Sequence, residues 1–174
     1  MYFRLLFVSI AWLAGCCRPD AAFPPPPPMQ KLPLFGGLTV TPDEGSGKTQ
    51  IFTVRLDQAA NRPEPTFLGL LINDRDTGAE GCYLFAHLAT GRPRLVNDSG
   101  SGAKEVAAQE VVANQQCELH SDGPTVARKG QTVEARFPVV FRSGFGGSKK
   151  LFVVAEDGSG TSTGIQMAGN YVVQ

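Results

Sequence analysis

The sequence predicts an all-β domain, a single antiparallel sandwich that follows a short leader and a proline-rich segment. The chain has 20 glycines and 13 prolines among 174 residues, which indicates many turns and favours strands over helices. From residue 38 onwards, about nine short apolar or alternating runs are separated by turn residues, a spacing typical of β-sandwiches. The strand–helix alternation that builds parallel sheets is not visible.

Residues 1–15 are predicted to be a signal peptide. A start containing Arg4 precedes an apolar run at residues 5–14. A run of this length is too short to cross a bilayer, which needs about 20 residues, but it fits the apolar region of a signal peptide.

The four residues Leu13, Ala14, Gly15 and Cys16 resemble the lipobox of bacterial lipoprotein precursors. The resemblance implies cleavage before Cys16 and attachment of lipid to its thiol, so the expected partner is a membrane and the expected location is the cell envelope. In the sorting rule of some Gram-negative bacteria, a lipoprotein without an aspartate directly after the lipidated cysteine is delivered to the outer membrane. Cys17 occupies that position here, which favours the outer membrane or cell surface over the inner membrane. An ordinary cleaved signal that happens to precede a cysteine is the alternative.

Residues 16–35 are predicted to be a lipidated N-terminus and linker. Seven prolines lie between Arg18 and Phe35, five of them consecutive at 24–28. Such a run favours polyproline II, which rises about 3.1 Å per residue and could hold a domain up to roughly 50 Å from a membrane. A ligand for aromatic grooves is the alternative interpretation.

Residues 36–174 are predicted to form the sandwich domain. Residues 50–57 and 132–141 alternate with period two, as half-buried strands do, and residues 67–72 are apolar throughout, as in a central strand covered on both faces. Residues 45–47 and 73–78 are predicted turns, and only residues 104–112 tolerate a helix. Further strands are predicted at residues 38–42, 82–87, 94–96, 116–119, 150–156 and 170–173.

Five short motifs occur in a characteristic order: GSG at 45–47, LIN at 71–73, CYL at 82–84, LVND at 95–98 and QCEL at 116–119. Together they resemble the immunoglobulin-like modules repeated in large secreted proteins of environmental bacteria, over residues 38–174. The resemblance implies an immunoglobulin-like or fibronectin-III-like sandwich that acts as a non-enzymatic spacer or display unit. Ile165 departs from the tryptophan that family members often carry there.

Two cysteines, Cys82 and Cys117, lie in the domain. An exported chain meets an oxidising environment, so a disulfide between them is predicted, with two buried free thiols as the alternative. Closing a loop of this length stabilises a fold by roughly 3–4 kcal/mol in the chain-entropy model.

The charges are balanced at 16 basic and 16 acidic residues, and removal of Arg4 with the leader leaves 15 against 16, a net charge of −1. Nucleic-acid binding calls for a basic surface, so no nucleic-acid partner is predicted.

Three motif fragments mimic functional sites. GSGKT at 45–49 ends like a phosphate-binding loop, but Pro42 stands at its first glycine, so no nucleotide site is predicted. GTSTG at 160–164 has the letters of a nucleophile elbow, but His87 and His120 both precede it, and a loop is predicted instead. The segment starting at Asp74 and Asp76 begins like a calcium loop without completing it. A weak cation site there or at Asp98 stays open, and otherwise no metal site, catalytic set or cofactor is predicted.

The function expected from these observations is that of a membrane-anchored, non-enzymatic lipoprotein displaying an immunoglobulin-like domain as a structural or adhesive module. The alternative is a small domain that binds a carbohydrate or protein at the cell surface, which an exposed aromatic cluster would favour. The aromatic residues expected in loops or termini are Phe23, Phe35, Phe145 and Tyr171.

Overall fold

The computed structural model describes residues 36–60, 62–123 and 125–174, and these ranges contain thirteen β-strands and a 3₁₀ turn at Ser143–Phe145. The predicted signal peptide, the proline-rich segment and Cys16 lie outside the described residues. Among the described residues, no helix is long and apolar enough to cross a bilayer. The strands are β1 (Gly37–Thr41), β2 (Glu44–Gly47), β3 (Thr49–Asp57), β4 (Pro65–Asn73), β5 (Cys82–His87), β6 (Arg92–Val96), β7 (Ala103–Glu105), β8 (Val111–Ala113), β9 (Cys117–His120), β10 (Val126–Lys129), β11 (Thr132–Phe141), β12 (Gly147–Asp157) and β13 (Gln166–Val173).

The strands form two sheets, which confirms the predicted all-β sandwich. The six-stranded sheet has the order β1-β3-β11-β9-β8, and β10 also pairs with β11. The seven-stranded sheet has the order β2-β13-β12-β4-β5-β6-β7. Neighbouring strands are antiparallel except β2 and β13, which are parallel.

The strand order is that of an immunoglobulin-like fold of the variable type. In one sheet β1, β3, β11 and β9 occupy the positions of strands A, B, E and D. In the other, β13, β12 and β4 occupy the positions of G, F and C, and β5 and β6 those of C′ and C″. The fold therefore agrees with the immunoglobulin-like architecture expected from the sequence.

The core lies between the two sheets and is filled by alternate residues of each strand. In β3 the predicted inward set of Phe52, Val54 and Leu56 is fully buried. In β4, Leu68 and Ile72 belong to the same core. β3 formed as its period-two alternation predicted. In β4, predicted as a central strand covered on both faces, residues 68–72 are all buried and Phe67 is half-buried.

An aromatic cluster fills one end of the core. The ring of Phe52 lies 5.2 Å from that of Tyr171, and Phe141 lies 5.7 Å from Tyr171 and 6.2 Å from Phe145. Tyr171 is 1% exposed and Phe145 6%. Of the two residues expected in loops or termini, Phe145 lies in the 3₁₀ turn and Tyr171 lies in β13. Neither contributes to an exposed aromatic cluster, because both complete the core.

The predicted turn at residues 45–47 was wrong, since this segment is part of β2. Tyr171 pairs with Gly45 across the strands, and a Cβ atom at Gly45 would lie 3.2 Å from the tyrosine ring. At Gly47 it would lie 3.1 Å from the tyrosine oxygen. The two glycines therefore admit the aromatic ring against an edge strand, a known way to stabilise strand glycines.

The disulfide between Cys82 and Cys117 is present, so the pairing was predicted correctly over the alternative of free thiols. Cys82 begins β5 and Cys117 begins β9, so the bond joins the two sheets. In antibody domains the inter-sheet bond joins strands B and F, which correspond here to β3 and β12. The disulfide of this chain therefore clamps a different part of the sandwich.

Candidate functional site

The most distinctive surface in the described residues is the outer face of the seven-stranded sheet. Its central strands β12, β4 and β5 send every second side chain away from the core, and these side chains are mainly apolar. Met167 joins them because it lies directly opposite Phe152. We call this surface the aromatic face, formed by Phe67, Tyr83, Phe85, Phe152, Val154 and Met167.

Phe85 lies at the centre of the aromatic face. Its ring centroid is 5.9 Å from that of Phe67, 6.3 Å from that of Tyr83 and 6.1 Å from the His87 ring. The corresponding interplanar angles are 54°, 54° and 65°, so none of the three rings is parallel to that of Phe85. Tilted and edge-on contacts of this kind stabilise aromatic pairs beyond their burial.

Gly69 leaves room for the side chains of Val154 and Tyr83 to pack over the backbone of β4. It lies opposite Phe85 in the β4–β5 pair, and a Cβ atom there would be 2.7 Å from Val154 Cγ1 and 3.4 Å from Tyr83 Cε2. Burial raises the pKa of the Tyr83 hydroxyl, and the negative charge of Glu156 raises it further. Phe152 and Val154 are buried at 7% and 5% exposure, Phe67, Tyr83 and Phe85 are half-buried, and Met167 is 57% exposed. The accessible part of the aromatic face is therefore the three half-buried rings and Met167.

A charged rim borders the face on the β6–β7 side. Glu105 accepts hydrogen bonds from Arg92 Nη1 at 2.8 Å and from Arg94 Nη2 at 2.9 Å. Both hydrogen bonds lower the pKa of Glu105, and the bond from Arg92 has the larger effect. On the other side, Glu156 of β12 forms no ion pair within the described ranges. An apolar centre with a polar rim is the usual anatomy of a protein-binding surface.

The outer face of the six-stranded sheet differs in character. Arg55 of β3 forms ion pairs with Asp57 at 3.0 Å and Glu134 at 3.6 Å. Pro138 has no N–H to donate, so β9 pairs with β11 only from Val139 onwards. A small notch beside Pro138 is lined by Ile51, His120 and Arg136 among others.

Two of the three acidic residues considered as cation ligands, Asp74 and Asp98, have other partners, and Asp76 is exposed. Asp74 Oδ1 lies 3.4 Å from Lys149 Nζ, and Asp98 Oδ1 accepts a hydrogen bond from the Gln115 amide at 2.9 Å. Within the described ranges, no group of three or more His, Cys, Asp or Glu side chains is placed to hold a metal ion.

The other two motif fragments, at residues 160–164 and 45–49, form a loop and parts of two strands. Residues 160–164 form the predicted loop, between β12 and β13, in which Ser162 Oγ accepts a hydrogen bond from the Gly164 amide at 3.1 Å. Residues 45–49 contain most of β2 and the start of β3. His87 lies in β5 and His120 in β9, so the histidines belong to different sheets.

Sequence reasoning missed the aromatic face, although a signal for it was present. Residues 67–72 are apolar at every position, and in β5 the aromatic residues Tyr83 and Phe85 alternate with core residues. The outer face of β4 is covered at Leu71, which is 1% exposed. The accessible aromatic surface is left by Phe67 of β4 and by Tyr83 and Phe85 of β5, which are half-buried. Phe23 and Phe35, the other aromatic candidates, lie outside the described residues.

Comparisons with protein-family models, with curated proteins and with solved structures found no match. The fold and the aromatic face together define the class of this protein: an immunoglobulin-like β-sandwich with an apolar outer surface on its larger sheet.

Proposed function

We propose that this protein is a lipid-anchored, non-enzymatic module of the cell envelope, in which the immunoglobulin-like domain serves a structural or adhesive role. The anchor would be Cys16, and residues 16–35 would carry the domain away from the membrane. The observation that carries the adhesive role is the aromatic face. A contiguous apolar patch on a soluble domain commonly marks an interaction surface.

The anchor is supported by the residues at positions 13–16 and by the apolar run before them. Each buried methylene of an acyl chain contributes about 0.8 kcal/mol, so more than one chain is needed for stable attachment. Lipidation at Cys16 would supply those chains and direct the domain to the envelope.

The anchor is tested by labelling cells that produce the full chain with radioactive palmitate. We expect label in the wild type and in Cys17→Ala, and none in Cys16→Ala, which would be released from the membrane fraction. Label retained in Cys16→Ala would refute the assignment.

A second candidate function is a small carbohydrate- or protein-binding domain at the cell surface, and the aromatic face favours it as well. The rings around Phe85 are tilted by more than 50° from its plane, whereas a sugar chain stacks best on rings that present one flat platform. The geometry therefore favours a protein ligand over a glycan. Glycan-array binding by the wild type that is lost in Phe85→Ser and retained in Ile51→Ser would reverse that preference.

A further inference from the structure

We propose that two copies of this chain pair through their aromatic faces, about a two-fold axis that runs along the strands between β4 and β5. The inference rests on the adhesive role proposed above but does not depend on the lipid anchor. It follows from the distribution of charge across the face and from the half-buried aromatic rings at its centre.

Four residues lie in one row across the seven-stranded sheet. The strand registers place Glu156 of β12 beside Phe67 of β4, Phe67 beside His87 of β5, and His87 beside Arg92 of β6. Strands lie about 4.8 Å apart, so Glu156 and Arg92 are separated by about 14 Å, with the aromatic centre between them. The row is acidic at one end and basic at the other.

The basic end has an excess charge. Arg92 and Arg94 share the single carboxylate of Glu105, which leaves one positive charge uncompensated within that cluster. Glu156 at the opposite end forms no ion pair within the described part of the chain. Each end of the row therefore offers the charge that the other lacks.

A two-fold axis between β4 and β5 exchanges the two ends. Glu156 of one copy would face Arg92 of the second copy, and the same contact would occur again by symmetry. An interface of this isologous kind needs a surface that is complementary to itself, which the row provides.

The axis also exchanges Gly69 of β4 and Phe85 of β5, which lie opposite each other in the β4–β5 pair. The space over Gly69 is already filled by Val154 Cγ1 and Tyr83 Cε2 of the same copy. The half-buried ring of Phe85 in one copy would therefore lie against Val154 and Tyr83 of the other.

The pairing is tested with the full chain in cells that produce two copies with different affinity tags. A photoreactive benzoylphenylalanine replaces Phe85 on the aromatic face. In a matched control it replaces Ile51, which is 44% exposed on the outer face of the other sheet. We expect light to join the two tagged copies through position 85 and not through position 51.

Charge reversal tests the axis. With the photoreactive group at 85, Glu156→Arg and Arg92→Glu should each lower the yield of joined copies at least fivefold, since each places like charges together at both contacts. The double variant should restore the yield. Formation of the Cys82–Cys117 disulfide, followed on non-reducing gels, checks that every variant is folded.

The outcomes separate the proposals. Joined copies with charge-swap rescue support the pairing. Crosslinks from position 85 to a different protein would overturn the pairing and keep an adhesive role, whereas no crosslink from position 85 would overturn both. Equal yields from positions 85 and 51, or no effect of Glu156→Arg, would also overturn the pairing.

Discussion

Gly169 lies in β13 at the irregularity in its pairing with β12, where the backbone approaches the segment that leads into β2. The Asn170 amide donates a hydrogen bond to the Asp43 carbonyl at 2.8 Å, and this contact secures the chain before β2 begins. A Cβ atom at position 169 would fall on the Asp43 carbonyl oxygen. This glycine is therefore required by contact with another part of the backbone.

We predict that Gly169→Ala destabilises the protein by about 1–3 kcal/mol, the usual cost of forcing extra atoms into a packed site. Urea unfolding followed by fluorescence or circular dichroism measures the change. The matched control is Gly144→Ala, because a Cβ atom at Gly144 would meet nothing within 4 Å. Equal midpoints for the two variants would contradict the prediction.

At the scale of elements, the strands with strong period-two patterns were predicted closely. The bounds predicted for β5 and β11 agree with the structure, and β3 differs by one residue at its start. The sequence reasoning missed β2, β7, β8 and β10, and residues 104–112, expected to tolerate a helix, span parts of β7 and β8. These missed strands have three or four residues each, so their apolar pattern is too short to read. They form because a neighbouring strand offers hydrogen-bonding groups.

The Cys82–Cys117 disulfide is the one covalent side-chain cross-link between the two sheets among the described residues. It closes a loop with a sequence separation of 35 residues, and both cysteines are fully buried. Its loss should therefore act mainly by allowing the unfolded chain more conformations.

We predict that replacing both cysteines by alanine lowers the free energy of unfolding by about 3–4 kcal/mol. Urea titration of the double variant against the wild type measures the change, with Cys17→Ala as the control that leaves the domain pair intact. A double variant that unfolds at the wild-type urea concentration would show that the bond contributes nothing to stability.

At the scale of the whole molecule, carboxylates in both sheets link stability to pH. The pKa of Asp57 is lowered by hydrogen bonds from Thr132 and, to a smaller extent, from Arg55. The pKa of Glu105 is lowered by hydrogen bonds from Arg92 and Arg94. In β12, hydrogen bonds led by that from Ser159 Oγ, at 2.6 Å, lower the pKa of Asp157. A carboxyl with a lowered native pKa stabilises the fold above its ordinary pKa, and that contribution is lost as the pH falls through the native value.

We predict that the urea midpoint of the wild type falls as the pH drops below the ordinary carboxyl values of 3.8 for Asp and 4.5 for Glu. Asp157→Asn keeps an oxygen that can accept the same hydrogen bonds but cannot ionise. It should lower the midpoint at pH 7 and reduce the difference between pH 7 and pH 3. The control is Asp76→Asn at an exposed position, and an equal acid response in both variants would contradict the role of Asp157.

The sequence by itself determined the all-β class, the main strands, the inward faces of β3 and β11, and the cysteine pairing. Alternation and turn residues are local properties, and two cysteines in the domain leave a single possible pairing within it. The tertiary structure alone decided that Gly45 and Gly47 lie in a strand, that Phe145 and Tyr171 are buried, and that Phe67, Tyr83 and Phe85 meet outside the core. A period of two shows which side chains share a face of a strand. Which of its faces is covered depends on partners distant in the sequence, and that dependence placed the aromatic face on the surface.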